Sequence, residues 1–509
     1  MGKIVSHEEF KEIKKQLREE GKKIGLSHGV FDLVHPGHMV HFQEAKKMVD
    51  VLVVSITSEK YVRKGPDRPY FNDTLRLNFL AGIECIDYVL LSENYTSDDV
   101  VKVVEPDLYI KGKEYQRAED DITGKITEET ELVQKYGGTV AFTEGQVYSS
   151  TNLINNALPS LSEEVKEYMK GFCKSYQLKD FQNLLEEIRK LKVLVVGDAI
   201  IDKYTYCNVQ GLMSKDMGYS ARYKQEEMHL GGSLAVARHM SSFTDNVTLA
   251  SVIGNETEVH SRILNELSGR MYLDLEYSKE WATIVKQRFI TLNEKRGELH
   301  KVFSINNLPE PVIINRISME HFMKKIREKI SDYDVVVICD FGHGLITGSV
   351  QELLQDKAKF LAVNCQTNSS NFGMNIITKY TRADVFALDQ KELKLAYPSY
   401  NISEADALRK LCTHLNGKGW LTRGALGAYG MEEGKMHDCP AFVLKVKDTI
   451  GAGDAFYAVA TLFAAAGGTL EQTVFVGNIA GALAANIVGN REPIEKVNFL
   501  KYASTLLNI

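Results

Sequence analysis

Paired cysteines, long apolar runs and a basic excess are all missing from this chain. Its seven cysteines, Cys85, Cys173, Cys207, Cys339, Cys365, Cys412 and Cys439, are odd in number and never spaced C-x-x-C. That spacing excludes a disulfide framework and a cysteine zinc site, and leaves reduced, mostly structural thiols of a cytoplasmic protein. The most apolar helical stretch, 455–466, is too short to cross a bilayer and runs into Gly467-Gly468. The first residues, Met1-Gly2-Lys3, lack the apolar core of a signal peptide. With 61 basic and 67 acidic residues the formal net charge is -6, which argues against general nucleic-acid binding while leaving room for local basic clefts that hold phosphate. No Gly/Ser-rich tether, internal repeat or low-complexity segment interrupts the sequence.

What is present is ordinary globular material in more than one domain. Apolar residues make up 44% and charged residues 25% of 509, so packed cores are expected, in two to three domains. Helical periodicity over 7–20 precedes strand patterns at 23–27, 51–56, 88–91, 108–110 and 139–143. Strands alternating with helices predict a doubly wound α/β domain. Two charged helical patterns at 162–173 and 179–191 form a helical connection, and Asp180 is the expected cap of the second. From 193 the pattern restarts, with buried strands expected at 193–196, 247–252, 335–339, 360–363 and 420–422. The more polar, strand-like region 204–230 predicts a small β excursion beside a second parallel sheet.

His35-Pro36-Gly37-His38 follows the first strand pattern. Its glycine lets backbone approach a phosphate, and the helix after it presents free N–H groups to anionic oxygens. Two imidazoles beside an α-phosphate can stabilise charge that grows during in-line attack; two surface histidines in a turn are the plain alternative. The context Gly29-Val30-Phe31-Asp32, ahead of the histidines, resembles the G-x-F-D-x-x-H-x-G-H signature of the nucleotidyltransferase superfamily that includes glycerol-phosphate cytidylyltransferases and heptose-phosphate adenylyltransferases. The resemblance implies catalytic roles for His35, His38 and Lys64, nucleotide contacts from Gly29, Phe31, Gly37 and Arg68, and substrate contacts from Asp32 and Lys111. Lys64 and Arg68 lie in Arg63-Lys64-Gly65-Pro66-Asp67-Arg68-Pro69, similar to the family's K-G-x-x-R-P loop. Thr143-Glu144-Gly145 and Ser149-Ser150-Thr151 resemble its closing T-E-G…S-S-T, which implies that these hydroxyls hold phosphate; helix capping is the alternative. Arg76 is either a further contact or a helix-surface charge. His28 stands where the heptose enzymes usually have asparagine.

The second motif is Asp448-Thr449-Ile450-Gly451-Ala452-Gly453-Asp454, opening an apolar helix. Gly451-Ala452-Gly453 can offer consecutive N–H groups to a transferring γ-phosphate, and Asp454 can accept the proton of an attacking hydroxyl. A tight helix–helix contact would also explain Gly-Ala-Gly alone. The full string resembles the signature of the ribokinase/PfkB carbohydrate kinases. That resemblance extends nucleotide binding to Thr422, Gly424, Gly427, Thr449, Gly451, Ala452 and Gly453. It implies substrate contacts from Asp198, Asp202, Gly231, Gly232, Lys286, Arg288 and Asp340, and places Mg²⁺ near Glu392. Departures cluster around the sugar: G-G-x-x-N ends in Ala235, the lysine of D-Y-G-K-G is His343, and P-N before the acidic residue is Leu388-Asp389.

Taken whole, the chain resembles bifunctional heptose-phosphate kinase/nucleotidyltransferases with the domains in the opposite order. The implied architecture is a Rossmann-like nucleotidyltransferase domain at 1–155, a helical linker at 156–178, and a ribokinase-like α/β sandwich with a small β lid at 179–509. The resemblance implies MgATP for the kinase, ATP or CTP for the nucleotidyltransferase, sugar phosphate as substrate, and a homo-oligomer, with a dimer favoured. Two other readings remain: a polyol or sugar-phosphate cytidylyltransferase whose kinase domain is altered or inactive, and a non-catalytic nucleotide sensor.

Overall fold

The computed structural model describes residues 2–62, 68–112, 125–143, 161–215, 217–293, 298–308, 314–399, 401–442 and 446–508. They form two compact units, one of residues 1–162 with 500–509 and one of residues 163–499.

The first unit is built on a six-stranded sheet, parallel throughout. In spatial order its strands are Lys3–Ile4, Tyr88–Ser92, Val51–Thr57, Ile24–Gly29, Leu108–Gly112 and Thr139–Thr143. The chain therefore winds outward in both directions from Ile24–Gly29, and the switch point lies at that strand's carboxyl end, where such sheets bind ligands. Every residue of Val51–Thr57 is buried. Val51 and Val53 pack with Phe10, Val100 and Tyr109 on one face. Leu52, Val54 and Ile56 pack with Phe42, Leu80 and Val89 on the other. A strand covered on both faces has no polar alternation to show, which is why it reads as a continuous apolar run.

The second unit combines two sheets. Its large sheet runs Tyr272–Tyr277, Val247–Ile253, Val193–Gly197, Val335–Asp340, Phe360–Cys365, Val385–Asp389, Lys418–Thr422, Ala428–Glu432 and Lys435–Cys439. It is parallel up to Lys418–Thr422, and the last two strands form an antiparallel hairpin. The smaller sheet runs Glu298–Asn307, Ile284–Asn293, Ala199–Leu212 and Tyr219–Gly232. The β excursion is thus larger than the sequence suggests, because two strands well downstream of its start complete it. Their alternation of polar and apolar residues is weak, which hides them. Asp180 is not the cap of its helix: Gln177 is, and the Asp180 carboxylate sits three residues in and accepts the Gln177 N–H at 2.7 Å. The helix Glu163–Phe172 packs within the second unit, with Phe172 stacked on Phe475 at 4.4 Å. Among the described residues no helix is long and apolar enough to cross a membrane.

Candidate functional site

In the first unit, His35 caps the helix Pro36–Lys47 at the carboxyl end of Ile24–Gly29. The His38 Nδ1 accepts the His35 N–H at 3.3 Å, and the two imidazoles stack with centroids 3.9 Å apart. Phe31, at a positive φ of 44°, sets its ring edge-on to His38 at 5.3 Å. Burial pushes the His35 imidazole below its ordinary value. Along the chain Gly29 precedes this pair and Gly37 lies between its two members.

Asp32 is turned to another task than facing solvent. Its carboxylate accepts the Tyr70 and Phe71 N–H groups at 2.7 and 3.0 Å and pairs with Arg68 at 3.2 Å. It organises the start of the segment after the basic loop, and Arg68 is anchored rather than waving in solvent. Arg76 is buried and donates to the Val30 and Thr57 carbonyls at 2.6 and 3.0 Å and to Asp73 at 2.5 Å, so it braces two strand ends. Lys111 pairs with the deeply set Glu129 at 2.9 Å. Burial alone would raise Glu129, but the Lys111 ammonium, joined by His28 and the Ser97 hydroxyl, leaves the carboxyl below its ordinary value. Lys64, Ser149, Ser150 and Thr151 lie outside the described residues.

Sequence reading missed His41. One imidazole nitrogen meets the Ser27 hydroxyl and the other the Thr143 hydroxyl, both at 2.8 Å. The ring thereby ties the helix bearing His38 to two strands, and burial pushes it down to about 4. A histidine three residues after His38, one helical turn on, was the available signal.

In the second unit, Gly451 caps the helix Ala452–Ala465 with φ of 81°. A Cβ there would lie 1.7 Å from the Asn490 Oδ1, so only glycine fits. Among the described residues the N–H groups of Gly451, Gly453 and Asp454 have no hydrogen-bond partner. Helix geometry leaves first-turn N–H groups available in this way, and such a cluster is a cradle suited to an anion. The loop before them is held by Asp448, whose carboxylate accepts the Tyr204 hydroxyl at 2.7 Å and the Gly489 and Ile450 N–H groups at 3.1 Å. Thr449 is exposed beside it.

Around the cradle the strand ends converge. Burial pushes Asp454 up to about 6, opposed by a hydrogen bond from Gln366, with Asp202 raising it further and Lys286 lowering it. Asp202 pairs with Arg288, and a Cβ on Gly231 would approach the Asp202 Oδ2 to 2.5 Å. Gly232, at φ of 57°, caps the helix Ser233–Met240. Lys286 lies over the Phe341 ring at 5.5 Å, and burial lowers its affinity for a proton. Asp198 accepts the Phe341 and His343 N–H groups at 3.0 and 3.3 Å through one oxygen. Its other oxygen is buried without a partner among the described residues, and burial with the nearby Asp340 pushes it up to about 7.

Asp340 is already engaged, by the Tyr380 hydroxyl and the Lys379 ammonium at 2.6 Å and by Asn375 at 3.1 Å. It anchors the segment after Phe360–Cys365 rather than opening to a ligand. Thr422 ends its strand with its hydroxyl 3.4 Å from the Leu388 carbonyl. Gly424 and Gly427 follow with φ of 58° and 88°. Glu392 accepts one backbone N–H on each oxygen, from Thr367 at 3.1 Å and Asp389 at 2.8 Å, and burial pushes it up to about 8. Among the described residues no group of three or more His, Cys, Asp and Glu could hold a metal.

The pfkB family carbohydrate kinase model matches residues 190–497, more than half of the chain, and the cytidylyltransferase-like model matches 26–156. The bifunctional protein HldE of Trichlorobacter lovleyi is 34% identical over 167 residues, 32% of each chain. HldE of Geobacter metallireducens is 36% identical over 152 residues, 29% of each. The matched stretch spans about a third of the length of these curated relatives. Phosphofructokinase-2 from Escherichia coli superposes on 62% of this chain and 99% of its own with a TM-score of 0.49 at 17% identity.

Proposed function

The chain belongs to the pfkB family of carbohydrate kinases and carries a cytidylyltransferase-like domain before it, and we propose that it makes a nucleotide-activated sugar in two chemical steps. In this reading residues 179–509 phosphorylate a sugar or sugar phosphate with MgATP, and residues 1–155 couple a sugar 1-phosphate to a nucleotide from ATP or CTP. Residues 156–178 connect them. The relatives' name, bifunctional protein HldE, supports two activities in one chain.

The observation that carries the reading is the cradle of Gly451, Gly453 and Asp454 N–H groups with the Asp454 carboxylate on the same helical turn. The N–H groups hold the γ-phosphoryl oxygens. Asp454 takes the proton of the sugar hydroxyl as its oxygen bonds to phosphorus and the bond to the ADP oxygen breaks. Lys286 and Arg288 supply positive charge toward an anionic substrate, with Asp202 fixing Arg288. Thr422, Gly424, Gly427 and Thr449 border the nucleotide. Both steps call for a nucleoside triphosphate with Mg²⁺, which when bound would neutralise phosphate charge; Glu392 would help to hold it in the kinase unit.

At the other site His35 and His38 stabilise the α-phosphate as the sugar phosphate oxygen attacks it and pyrophosphate leaves. Lys64, Arg68 and the hydroxyls of Ser149, Ser150 and Thr151 take the remaining phosphate charge. Lys111 lies toward the sugar phosphate. The substrates are small sugar phosphates and nucleotides, the setting cytoplasmic, and the chain a homo-oligomer, a dimer in the simplest case.

One specific observation favours a second reading, a nucleotidyltransferase with a kinase unit of altered activity: Asp340 is engaged by Lys379, Tyr380 and Asn375. The test is direct. Full-length protein with Mg²⁺, ATP or CTP, and a panel of sugar 1-phosphates is followed for pyrophosphate, and sugars with ATP are followed for ADP. Pyrophosphate together with ADP supports two steps. Pyrophosphate alone supports the second reading, and neither product defeats both.

A further inference from the structure

The run Asn364-Cys365-Gln366-Thr367-Asn368 crosses the carboxyl end of Phe360–Cys365, and no motif accounts for its amides. We propose that Gln366 is the positioning residue for Asp454, selecting the ionised, acceptor-only form of that carboxylate and fixing its direction. The proposal rests on the kinase reading of Asp454.

The orientation of each amide follows from a chain of obligatory roles. The Ala387 carbonyl can only accept, and the Asn364 Nδ2 donates to it at 3.0 Å. The Asn364 Oδ1 therefore faces Gln366 and accepts from the Gln366 Nε2 at 2.8 Å. The same Nε2 donates its second hydrogen to the Asp454 Oδ1 at 3.0 Å. No flip of either amide satisfies all three contacts. The backbone of Gln366 is pinned as well: its N–H donates to the Asp340 carbonyl at 2.8 Å, and its own carbonyl accepts from the Asn375 Nδ2 at 3.0 Å. Next in the chain, the Thr367 N–H donates to Glu392 at 3.1 Å. A side chain held at so many points has little freedom to lose when it binds the carboxylate.

The charges facing Asp454 give this contact its importance. Asp202 raises its proton affinity and Lys286, from the adjacent lid strand, lowers it. Glu392 and the Cys339 thiol face it from Gln390–Ala396 and Val335–Asp340. Burial opposes ionisation, and among these groups Gln366 is the one that donates a hydrogen bond to Asp454. A proton acceptor must be ionised when the hydroxyl arrives.

Both tryptophans, Trp281 and Trp420, lie in the unit 163–499, so their fluorescence follows the unfolding of that unit in the full chain. Gln366→Met keeps the length and removes the donor, and Gln366→Asn withdraws it by one methylene. Each variant should lower the unfolding midpoint more at pH 8 than at pH 5, with an excess of about 2–4 °C. In an Asp454→Asn background the excess should vanish. An equal loss at both pH values, or an excess that persists in the Asp454→Asn background, overturns the proposal. Where ATP-dependent turnover is present, the acid limb of its pH profile should also move up by about one unit, a tenfold loss below it. Absence of turnover in the parent protein defeats the kinase reading, while the unfolding cycle still decides the contact.

Discussion

Asp454 and His41 are perturbed by the same cause with opposite consequences. Burial raises Asp454 from 3.8 to about 6, so the folded chain holds this proton more tightly than the unfolded chain does. The stability it contributes is present at low pH and is lost as pH rises through that window. Asp454→Asn should therefore unfold at a higher temperature than the parent at pH 8, by the equivalent of roughly 1–3 kcal/mol, while phosphoryl transfer falls about 10²–10⁴-fold. Melting curves at pH 5 and 8 check the first part and ADP release checks the second; a destabilised variant at pH 8 would refute the sign. His41 is lowered from 6.5 to about 4, so the unfolded chain binds the extra proton. Its contribution is present above pH 6.5 and is lost as pH falls toward 4. His41→Gln should flatten that acid slope, as read by hydrogen exchange of the Ile24–Gly29 amides between about pH 4.5 and 7. The slope unchanged would mean that another group carries it.

Two glycines of one helix start separate fold from chemistry at the level of the element. At Gly451 both the φ of 81° and the 1.7 Å approach of the Asn490 Oδ1 exclude a side chain. At Gly453 a Cβ meets nothing within 4 Å. Gly451→Ala should cost several kcal/mol, about 1–3 from the backbone alone with the overlap added, and abolish ATP-dependent turnover. Gly453→Ala should fold at least as stably, because alanine favours a helix by about 1 kcal/mol over glycine. Chemical denaturation of both variants is the measurement, and equal losses would mean that Asn490 simply moves aside. The motif that contains these glycines was legible because its requirements are local: a cap, a run of N–H groups and a carboxylate within one turn. Buried parallel strands such as Val51–Thr57 were legible for the same reason, since an apolar run needs no distant partner to be recognised. Strands Ile284–Asn293 and Glu298–Asn307 were not, because the first is placed by pairing with Ala199–Leu212, far away in sequence, and the second is placed only through the first. Gln366, Asn490 and Tyr204 stayed hidden likewise. Each acquires its meaning from a residue distant in sequence, Asp454 lying 88 positions from Gln366 and Asp448 lying 244 from Tyr204, that only folding brings near. Type and spacing likewise did not reveal what the Asp32 and Asp340 carboxylates already hold within the fold.

At the scale of the whole molecule, parallel sheets in two separate compact units each carry one of the two proposed phosphate-handling helix starts. Their chemistries differ in what they demand of side chains. In the proposed reading, nucleotidyl transfer at His35 and His38 needs donors that stabilise charge on phosphate, whereas the kinase step needs an acceptor that removes a proton. One substitution in each unit should therefore dissect the pathway. His38→Asn should suppress pyrophosphate release from a sugar 1-phosphate by about 10²-fold or more and leave ADP release from the sugar intact. Asp454→Asn should do the reverse, and the double variant should lose both if the two units act independently, so that their effects add. The assay follows ADP and pyrophosphate separately in the full chain, with the sugar and its 1-phosphate supplied in different reactions. If His38→Asn also lowered ADP release, the units would be coupled rather than merely joined. If Asp454→Asn left ADP release unchanged, the carboxylate beside the N–H cradle would not be the proton acceptor, and the cradle would be a binding site alone.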